Sequence, residues 1–548
     1  MKSSKDLHNI GWWLPADNEP ESDDQAIRSA ILKVNRPVYL LDLNGLLAVA
    51  DSGKIIIGSG VSPDSAAVPL RAYTPPLNPE HLGDTRFKKK HHLRYAYIVG
   101  AMANGITSVK MVEEAGKAGF VGFFGAAGLG LDQIETAIDR LRKSLENIPY
   151  GFNLIHIPND PELEAAVVQL YLQREIRRVS ASAYLDLTLP LVYYRVKGIH
   201  LDADGRIVCP NKVIAKVSRV EVAEKYFSPP PLKLLARLVD KNLITREEAQ
   251  LAGSIPMADD LTAEADSGGH TDNRPAISLL PTMIALRDEL AGKYQYENPP
   301  CVGLAGGIAT PHSAAAAFAM GAAYILTGSV NQACIEAGTS EAVRHMLAET
   351  GQADVTMAPA ADMFEMGVKV QVLKRGTMFP LRAAKLYDLY CNYDRFEAIP
   401  EKQRLSLERD FFRNSFEKEW EQTKIYFTRH DPKQIERAEK NPKHKMALVF
   451  RSYLGQSSNW ANSGDLSRKI DYQIWCGPAM GAFNQWVKGS FLERPENRRI
   501  VTVSMNLLYG AAVVTRANWL KHQGVVLPKG TDHFSPMPLE IIQESLDN

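Results

Sequence analysis

The chain is poor in the features that mark several classes of protein. Its 548 residues include five cysteines, Cys209, Cys301, Cys334, Cys391 and Cys476. They are scattered and odd in number, which argues against a disulfide framework or a zinc site and fits the reduced thiols of a cytoplasmic protein. Charge of one sign is not in excess: 63 basic and 63 acidic residues give a formal net charge of zero. Nothing in that balance asks for nucleic acid or a membrane surface as partner. There is no run of 18 apolar residues, so no transmembrane helix is expected. Met1-Lys-Ser-Ser-Lys-Asp6 leads into no apolar h-region, so no signal peptide is expected either. The sequence holds no Walker loop, no G-x-S-x-G elbow and no cluster of metal ligands. Asp202-Ala-Asp-Gly205 begins like a calcium loop, but Arg206 at the fifth position and the lack of a glutamate at the twelfth exclude one. What remains is ordinary globular composition, 45% hydrophobic and 23% charged, with length for two or three domains.

Residues 1–30 read as polar and loosely ordered, with Trp12 and Trp13 as anchors. Val38–Asp42 and Lys54–Gly58, with turns at Asn44-Gly45 and Ser52-Gly53, read as a small β cap. Residues 63–94 are Pro-rich and polar and read as a long connection. Its Lys88-Lys-Lys-His-His92 run reads as solvated, with attraction of an acidic protein or a cofactor phosphate as the functional alternative.

From about residue 95 a regular alternation begins. Tyr95–Met102, Phe120–Phe124, Tyr150–Ile155, Val179–Ala183 and Lys212–Val217 read as strands one to five. Pro256–Glu264 leads into strand six, and Pro300–Ala305 and Ala322–Thr327 are strands seven and eight. Helices are expected at Ser108–Ala118, with Ser108 as N-cap and Glu113, Glu114 and Lys117 facing outward, at Leu131–Leu145 and at Pro161–Arg174. Residues 191–209 read as a hairpin, and two helices follow Pro229-Pro-Pro231. Strands that read as continuous apolar runs belong in a parallel sheet covered on both faces. Eight of them with helices between predict an α/β fold, a (β/α)8 TIM barrel. Beyond residue 335, helix-like segments dominate and carry five of the seven tryptophans, which predicts an all-helical C-terminal domain beside the barrel mouth. The expected division is 1–90 for the N-terminal arm and β cap, 91–335 for the barrel with a helical insertion at about 228–253, and 336–548 for the helical domain.

Two glycine sites carry the chemistry. Gly306-Gly307 follows strand seven, and Gly328-Ser329 follows strand eight. The loops after the last two strands of such a barrel form a phosphate cup, where a Cβ would keep N–H groups from phosphate oxygens. Helix N-termini at Thr310 and Asn331 are expected to add positive potential. Upstream, Gly268-Gly269-His270 reads as the end of strand six, with Glu264 and Asp266 as nearby acids. A histidine there can donate to a cofactor edge or protonate carbon near pH 7, or it can simply bond backbone at a helix start. The arrangement suggests a flavin mononucleotide site. Asn153 inside strand three needs partners for its amide, which a flavin pyrimidine offers. Lys216 in strand five either faces a phosphate, a ribityl hydroxyl or the flavin N1 region, or snorkels from the strand end.

Ala101-Met-Ala-Asn-Gly105, Gly151-Phe-Asn153, Gly268-Gly-His270, Gly306-Gly307 and Thr327-Gly328 resemble, in order, the strand-end motifs of the nitronate monooxygenase and FabK-type enoyl-reductase superfamily. Longer strings, among them Glu264–Pro275, Thr327–Cys334, Ala358–Gly367 and Asp471–Met480, are similar to PfaD-type enoyl reductases. These act in trans on polyketide and polyunsaturated fatty acid synthases. The resemblance implies an FMN-dependent oxidoreductase that reduces the α,β-double bond of an acyl-carrier-protein-bound thioester, with NADPH or NADH as hydride donor. It implies an acyl carrier protein as partner and a helical domain that serves substrate and carrier. His270 is the expected catalytic residue. Ala101, Met102, Ala103, Asn153, Ser180, Lys216, Asp266, Gly268, Gly269, Gly306, Gly307, Gly328 and Ser329 are the expected cofactor-binding positions, with no metal. The alternatives are a nitronate monooxygenase-like flavin oxidase and a non-catalytic assembly subunit of a synthase. Apolar C-terminal helices make a homodimer an expectation. Acyl chain length, pathway and the choice of nicotinamide are not fixed by the sequence.

Overall fold

A computed structural model describes residues 9–16, 19–58, 60, 62–157 and 160–547. The signal-peptide reading at residues 1–8 lies outside them. Eight parallel strands close into a barrel: Tyr97–Val99, Val121–Phe124, Gly151–Ile155, Arg178–Ser182, Lys212–Val217, Asp260–Glu264, Cys301–Ala305 and Ile325–Thr327. Closure is made where Thr327 pairs with Val99. The strands are short and almost wholly buried, because alternate side chains face two different cores. Ile98, Phe123, Ile214, Ala305 and Leu326 fill one cluster, where Phe87 and Tyr324 stack with ring centroids 4.1 Å apart. Their strand neighbours Tyr97, Val99, Phe124 and Phe152 face the surrounding helices.

The helices start where the sequence signals say. Ser108 Oγ accepts from the Met111 N–H, and Asp160 Oδ1 from that of Leu163, with Pro161 in the first turn. In Leu131–Leu145 the apolar stripe Ile134, Ile138, Leu141 and Leu145 is buried, and Leu131 at its start is exposed. Glu113 departs from its expected outward position. It is buried, and Arg140 of the next helix reaches it at 3.2 Å. Residues 191–209 also differ from the expected hairpin. Leu189–Val196 is a helix capped by Thr188 with Pro190 in its first turn, and the hairpin shrinks to His200–Leu201 against Ile207–Val208. The helix Val220–Phe227 precedes the Pro run, and Leu232–Asp240 and Arg246–Ala252 follow it.

The charged run before the barrel is only partly solvated: Lys89 and His92 are exposed, but Lys88 and His91 are buried and Lys90 is half-buried. Thr85–His91 is a helix at the N-terminal end of the barrel, inside the stretch expected to be a mere connection. Lys90 Nζ lies 2.9 Å from Asp260 Oδ1 and His91 Nε2 2.6 Å from Asp260 Oδ2, with His91 and Asp260 fully buried. Lys88 turns inward onto the backbone oxygens of Glu80 and Leu82. Asp260 opens strand six, 170 residues from Lys90, so no local pattern announces the pairing. Beside it Arg195 Nη1 meets Asp259 Oδ2 at 2.5 Å. Arg195 and Lys212 outweigh the cost of burial and hold the Asp259 carboxyl down at about 2.

The N-terminal segment is also more built than its polarity suggests. Gly11–Leu14 is an inner strand of a five-stranded antiparallel sheet, in the order Leu46–Ala50, Val38–Leu43, Val68–Thr74, Gly11–Leu14 and Lys54–Ile57. Trp13 is buried, and its indole N–H donates to the Ser52 carbonyl at 2.9 Å. Asp24–Leu32 is a helix capped by Asp23 that buries Ile27, Ala30 and Ile31.

Beyond the barrel the chain is mostly helical. Ile500–His522 is long and apolar enough to cross a membrane, yet 89% of its most apolar window is buried inside the protein. It crosses Pro311–Ala319 so closely that a Cβ on Gly510 would sit 2.6 Å from Pro311 Cγ. One β element interrupts the helices. Val355–Pro359 pairs antiparallel with Lys369–Leu373, which in turn pairs with Gly269–His270.

Candidate active site at the barrel mouth

The loops after strands seven and eight supply a cradle of backbone. Gly306 and Gly307 have φ of +84° and +76°, a region that favours glycine. The two glycines serve different ends. A Cβ on Gly306 would lie 2.6 Å from the Ala265 carbonyl carbon, so Gly306 lets strands six and seven approach. A Cβ on Gly307 or on Gly328 would meet nothing within 4 Å, so both face open space. Among the described residues no protein acceptor takes the N–H groups of Gly307, Ile308, Gly328 or Ser329. The helix expected to point at the cup, Pro311–Ala319, contributes less than its position suggests. Ser313 Oγ already accepts from the N–H groups of Ala309 and Thr310. The helix after strand eight starts at Ser329 and is a single turn, with Asn331 inside it.

His270 does not end strand six. That strand stops at Glu264, and His270 stands on the short strand that joins the C-terminal hairpin. Asp266-Ser-Gly-Gly269 is turn chemistry, and it breaks the chain between the two strands. The intervening loop is clamped: Asp266 Oδ1 accepts from Gln371 Nε2 and Asn273 Nδ2, each at 2.8 Å, and Gln371 Nε2 also reaches the Ser267 carbonyl. A Cβ on Gly268 would lie 2.9 Å from the Cys476 backbone, and Gly477 N–H donates to Ser329 Oγ at 3.1 Å. Asn104 Nδ2 donates to Ser458 Oγ at 3.2 Å. The C-terminal region therefore touches the loops after strands one, six and eight.

His270 Nε2 lies 3.0 Å from Asp362 Oδ2. Burial works against the imidazolium, but the hydrogen bond and charge of Asp362, aided by Glu264, outweigh it and raise the His270 pKa. The same contact prevails over burial at Asp362 and lowers its pKa. Lys216 Nζ pairs with Glu264 Oε1 of the neighbouring strand at 2.7 Å, and Ser267 Oγ donates to the same oxygen.

Asn153 finds partners without a ligand. Its Oδ1 accepts from the N–H groups of Ala126 and Ala127 at 2.7 and 3.1 Å, fixing the loop after strand two. Ser180 is buried beside it in register. Ala101, Met102 and Ala103 are half-buried after strand one, where Met102 N–H donates to Thr107 Oγ1. A Cβ on Gly125 would overlap the Met102 carbonyl at 1.7 Å.

Asp362, Gln371 and Asn273 escaped the sequence reading. Asp362 lies in the Ala358–Gly367 string, but nothing in the spacing put it next to a histidine 92 residues away. A second acid–histidine pair also went unread. His156, just past strand three, has Nδ1 3.0 Å from Oε2 of buried Glu164, and Tyr184 OH donates to Oε1 at 3.1 Å.

The nitronate monooxygenase family matches residues 85–388. Residues 393–472 match the inserted helical domain of acyl-carrier-protein S-malonyltransferase. The polyketide biosynthesis protein PksE of Bacillus subtilis is 47% identical over 439 residues, 80% of this chain and 57% of that protein. A polyunsaturated fatty acid synthase polypeptide of Thraustochytrium sp. is 45% identical over 448 residues, 80% of this chain and 30% of that protein. The chain thus spans only part of these relatives' length. Among solved structures, the enoyl reductase domain of MlnA from the macrolactin biosynthesis cluster of Bacillus amyloliquefaciens is similar. It shows 40% identity and a TM-score of 0.76, over 81% of this chain and 99% of that one.

Proposed function

Because the chain belongs to the nitronate monooxygenase family, among its PfaD-type enoyl reductases of polyketide and polyunsaturated fatty acid synthases, we propose that it reduces the α,β-double bond of an acyl-carrier-protein-bound enoyl thioester. The observation that carries the reading is His270 at the mouth of a barrel whose last two loops leave open, unpaired backbone donors. Those donors fit FMN: the N–H groups of Gly307, Ile308, Gly328 and Ser329 would hold its phosphate. Ala101, Met102, Ala103, Asn153, Ser180, Lys216, Asp266, Gly268 and Gly269 would border the rest, with Gly306 closing the base of the cup. Bound flavin supplies hydride transfer from NADPH or NADH to the substrate Cβ. The chain's own residues supply the rest. His270 gives a proton to Cα as negative charge develops on the thioester. The mostly helical region 336–548 is the part assigned to the acyl chain and carrier protein. Its contacts with three of the barrel-mouth loops support that assignment.

The test follows flavin absorbance without oxygen, first with NADPH and then with an enoyl thioester. Bleaching followed by recovery is the expected result. A flavin that NADPH never bleaches, or that only oxygen restores, overturns the reading.

A further inference from the structure

We infer that Asp362 is a positioning residue for His270, holding Nε2–H so that Nδ1 is the nitrogen that delivers a proton to the substrate. The acid of the reaction is then assembled jointly by the barrel and the C-terminal hairpin. This rests on the enoyl-reductase reading above.

The argument begins with the backbone. Gly269 pairs with Gln371 and His270 with Val370, so the histidine is part of the same small sheet as the hairpin whose turn carries Asp362. That turn is anchored on several sides. Ala360 N–H donates to the Val368 carbonyl at 2.9 Å, and Arg451 Nε donates to the Ala361 carbonyl at 2.9 Å. Phe364 is fully buried and edge-on to Tyr387. His270 and Asp362 therefore meet through one fixed frame, and the 3.0 Å contact needs no movement to form.

The chemistry follows from which nitrogen is engaged. With Asp362 accepting from Nε2–H, the imidazolium carries its second proton on Nδ1. In the reduction, hydride from the nicotinamide reaches Cβ, and the Nδ1 proton goes to Cα as the π bond is consumed. His270 is left neutral and regains its proton from water. Among the described residues, the charges that act most on the ring are Asp362 from the hairpin, Glu264 from strand six and Lys216 from strand five. Glu264 and Lys216 pair with each other at 2.7 Å and act on His270 in opposite senses, so Asp362 decides the balance. Asp266, on the histidine's own loop, is taken up by Gln371 and Asn273.

The experiment uses the full-length holoprotein, reduced anaerobically with dithionite and mixed with crotonyl-pantetheine thioester. The rate of flavin reoxidation is followed from about pH 5.5 to 9. In the wild type the rate falls as pH rises and His270 loses its proton. In Asp362→Asn that fall moves to lower pH, and the rate at about pH 8 drops by about tenfold or more, while the rates converge at the acid end. Asp362→Glu keeps the wild-type profile. If the Asn variant does not accumulate, Asp362→Ser reads the same shift, because loss of charge moves the profile. An Asn or Ser profile that superimposes on the wild type, or that is lowered equally at every pH, overturns the assignment alone. A wild-type flavin that no enoyl thioester reoxidises refutes the parent reading and this assignment with it.

Discussion

Gly306 and Gly328 look alike in sequence, yet the structure predicts that alanine at each will fail in a different way. At Gly306, φ is +84° and a Cβ would lie 2.6 Å from Ala265 backbone. Left-handed backbone costs a non-glycine residue about 1–2 kcal/mol, and a contact that forces backbone to shift adds about 1–3 kcal/mol. Gly306→Ala should therefore destabilise the protein by about 2–5 kcal/mol, a sum of those two ranges. At Gly328, φ is −131° and the new methyl would meet nothing within 4 Å, so stability should change by no more than about 0.5 kcal/mol. The methyl would instead occupy the space assigned to the FMN phosphate. Loss of one charge-assisted hydrogen bond, about 1.5–3 kcal/mol, weakens binding by about 10- to 150-fold. The assay is a thermal melt of flavin-stripped protein beside an FMN titration read by flavin fluorescence. Gly328→Ala should melt with the wild type and bind FMN weakly. A Gly328→Ala protein that binds FMN with wild-type affinity would refute the phosphate cup. One that melts as early as Gly306→Ala would refute the reading of open space.

Other outcomes follow from the same geometry. His270→Ala should slow reoxidation of reduced flavin by an enoyl thioester by about 100-fold or more while flavin content is kept, and near-normal reoxidation would remove the proton-donor role. Asp260→Ala should cost about 3–5 kcal/mol in denaturant unfolding, because it leaves Lys90 charged at the base of the barrel with its partner gone and removes the acceptor of buried His91. A loss under about 1 kcal/mol would mean that water already screens the pair. Asp259 has a folded-state pKa of about 2, below the ordinary carboxylate value. Its contribution is therefore complete above about pH 4 and is lost as pH falls from about 4 towards 2. Asp259→Asn should be less stable than the wild type at neutral pH and should show a flatter loss of stability between about pH 4 and 2. Parallel acid profiles for the two proteins would contradict this.

The barrel was legible because its signals are local. Apolar runs such as Lys212–Val217, caps such as Ser108 and glycines after strands seven and eight each act over a few residues, and each stands where it was expected. The same locality explains the misses. Residues 9–30 look polar because the helix Asp24–Leu32 buries one narrow face, and the helix that Thr188-Leu-Pro190 starts is only eight residues long, too short for its period to stand out.

What the sequence by itself determined is the class of fold and the glycine turns after strands seven and eight, since strand period, turn chemistry and glycine placement are set by neighbours in the chain. What only the tertiary structure decided is charge. Lys88, Lys90 and His91 read as a solvated run, but Asp260 and the carbonyls of Glu80 and Leu82 draw them inside. His270 is separated from Asp362 by 92 residues and meets it only because a hairpin folds back to share a sheet with the loop after strand six. The free energy of a charge depends on burial and on its partners in space, and neither is set until the chain has closed on itself.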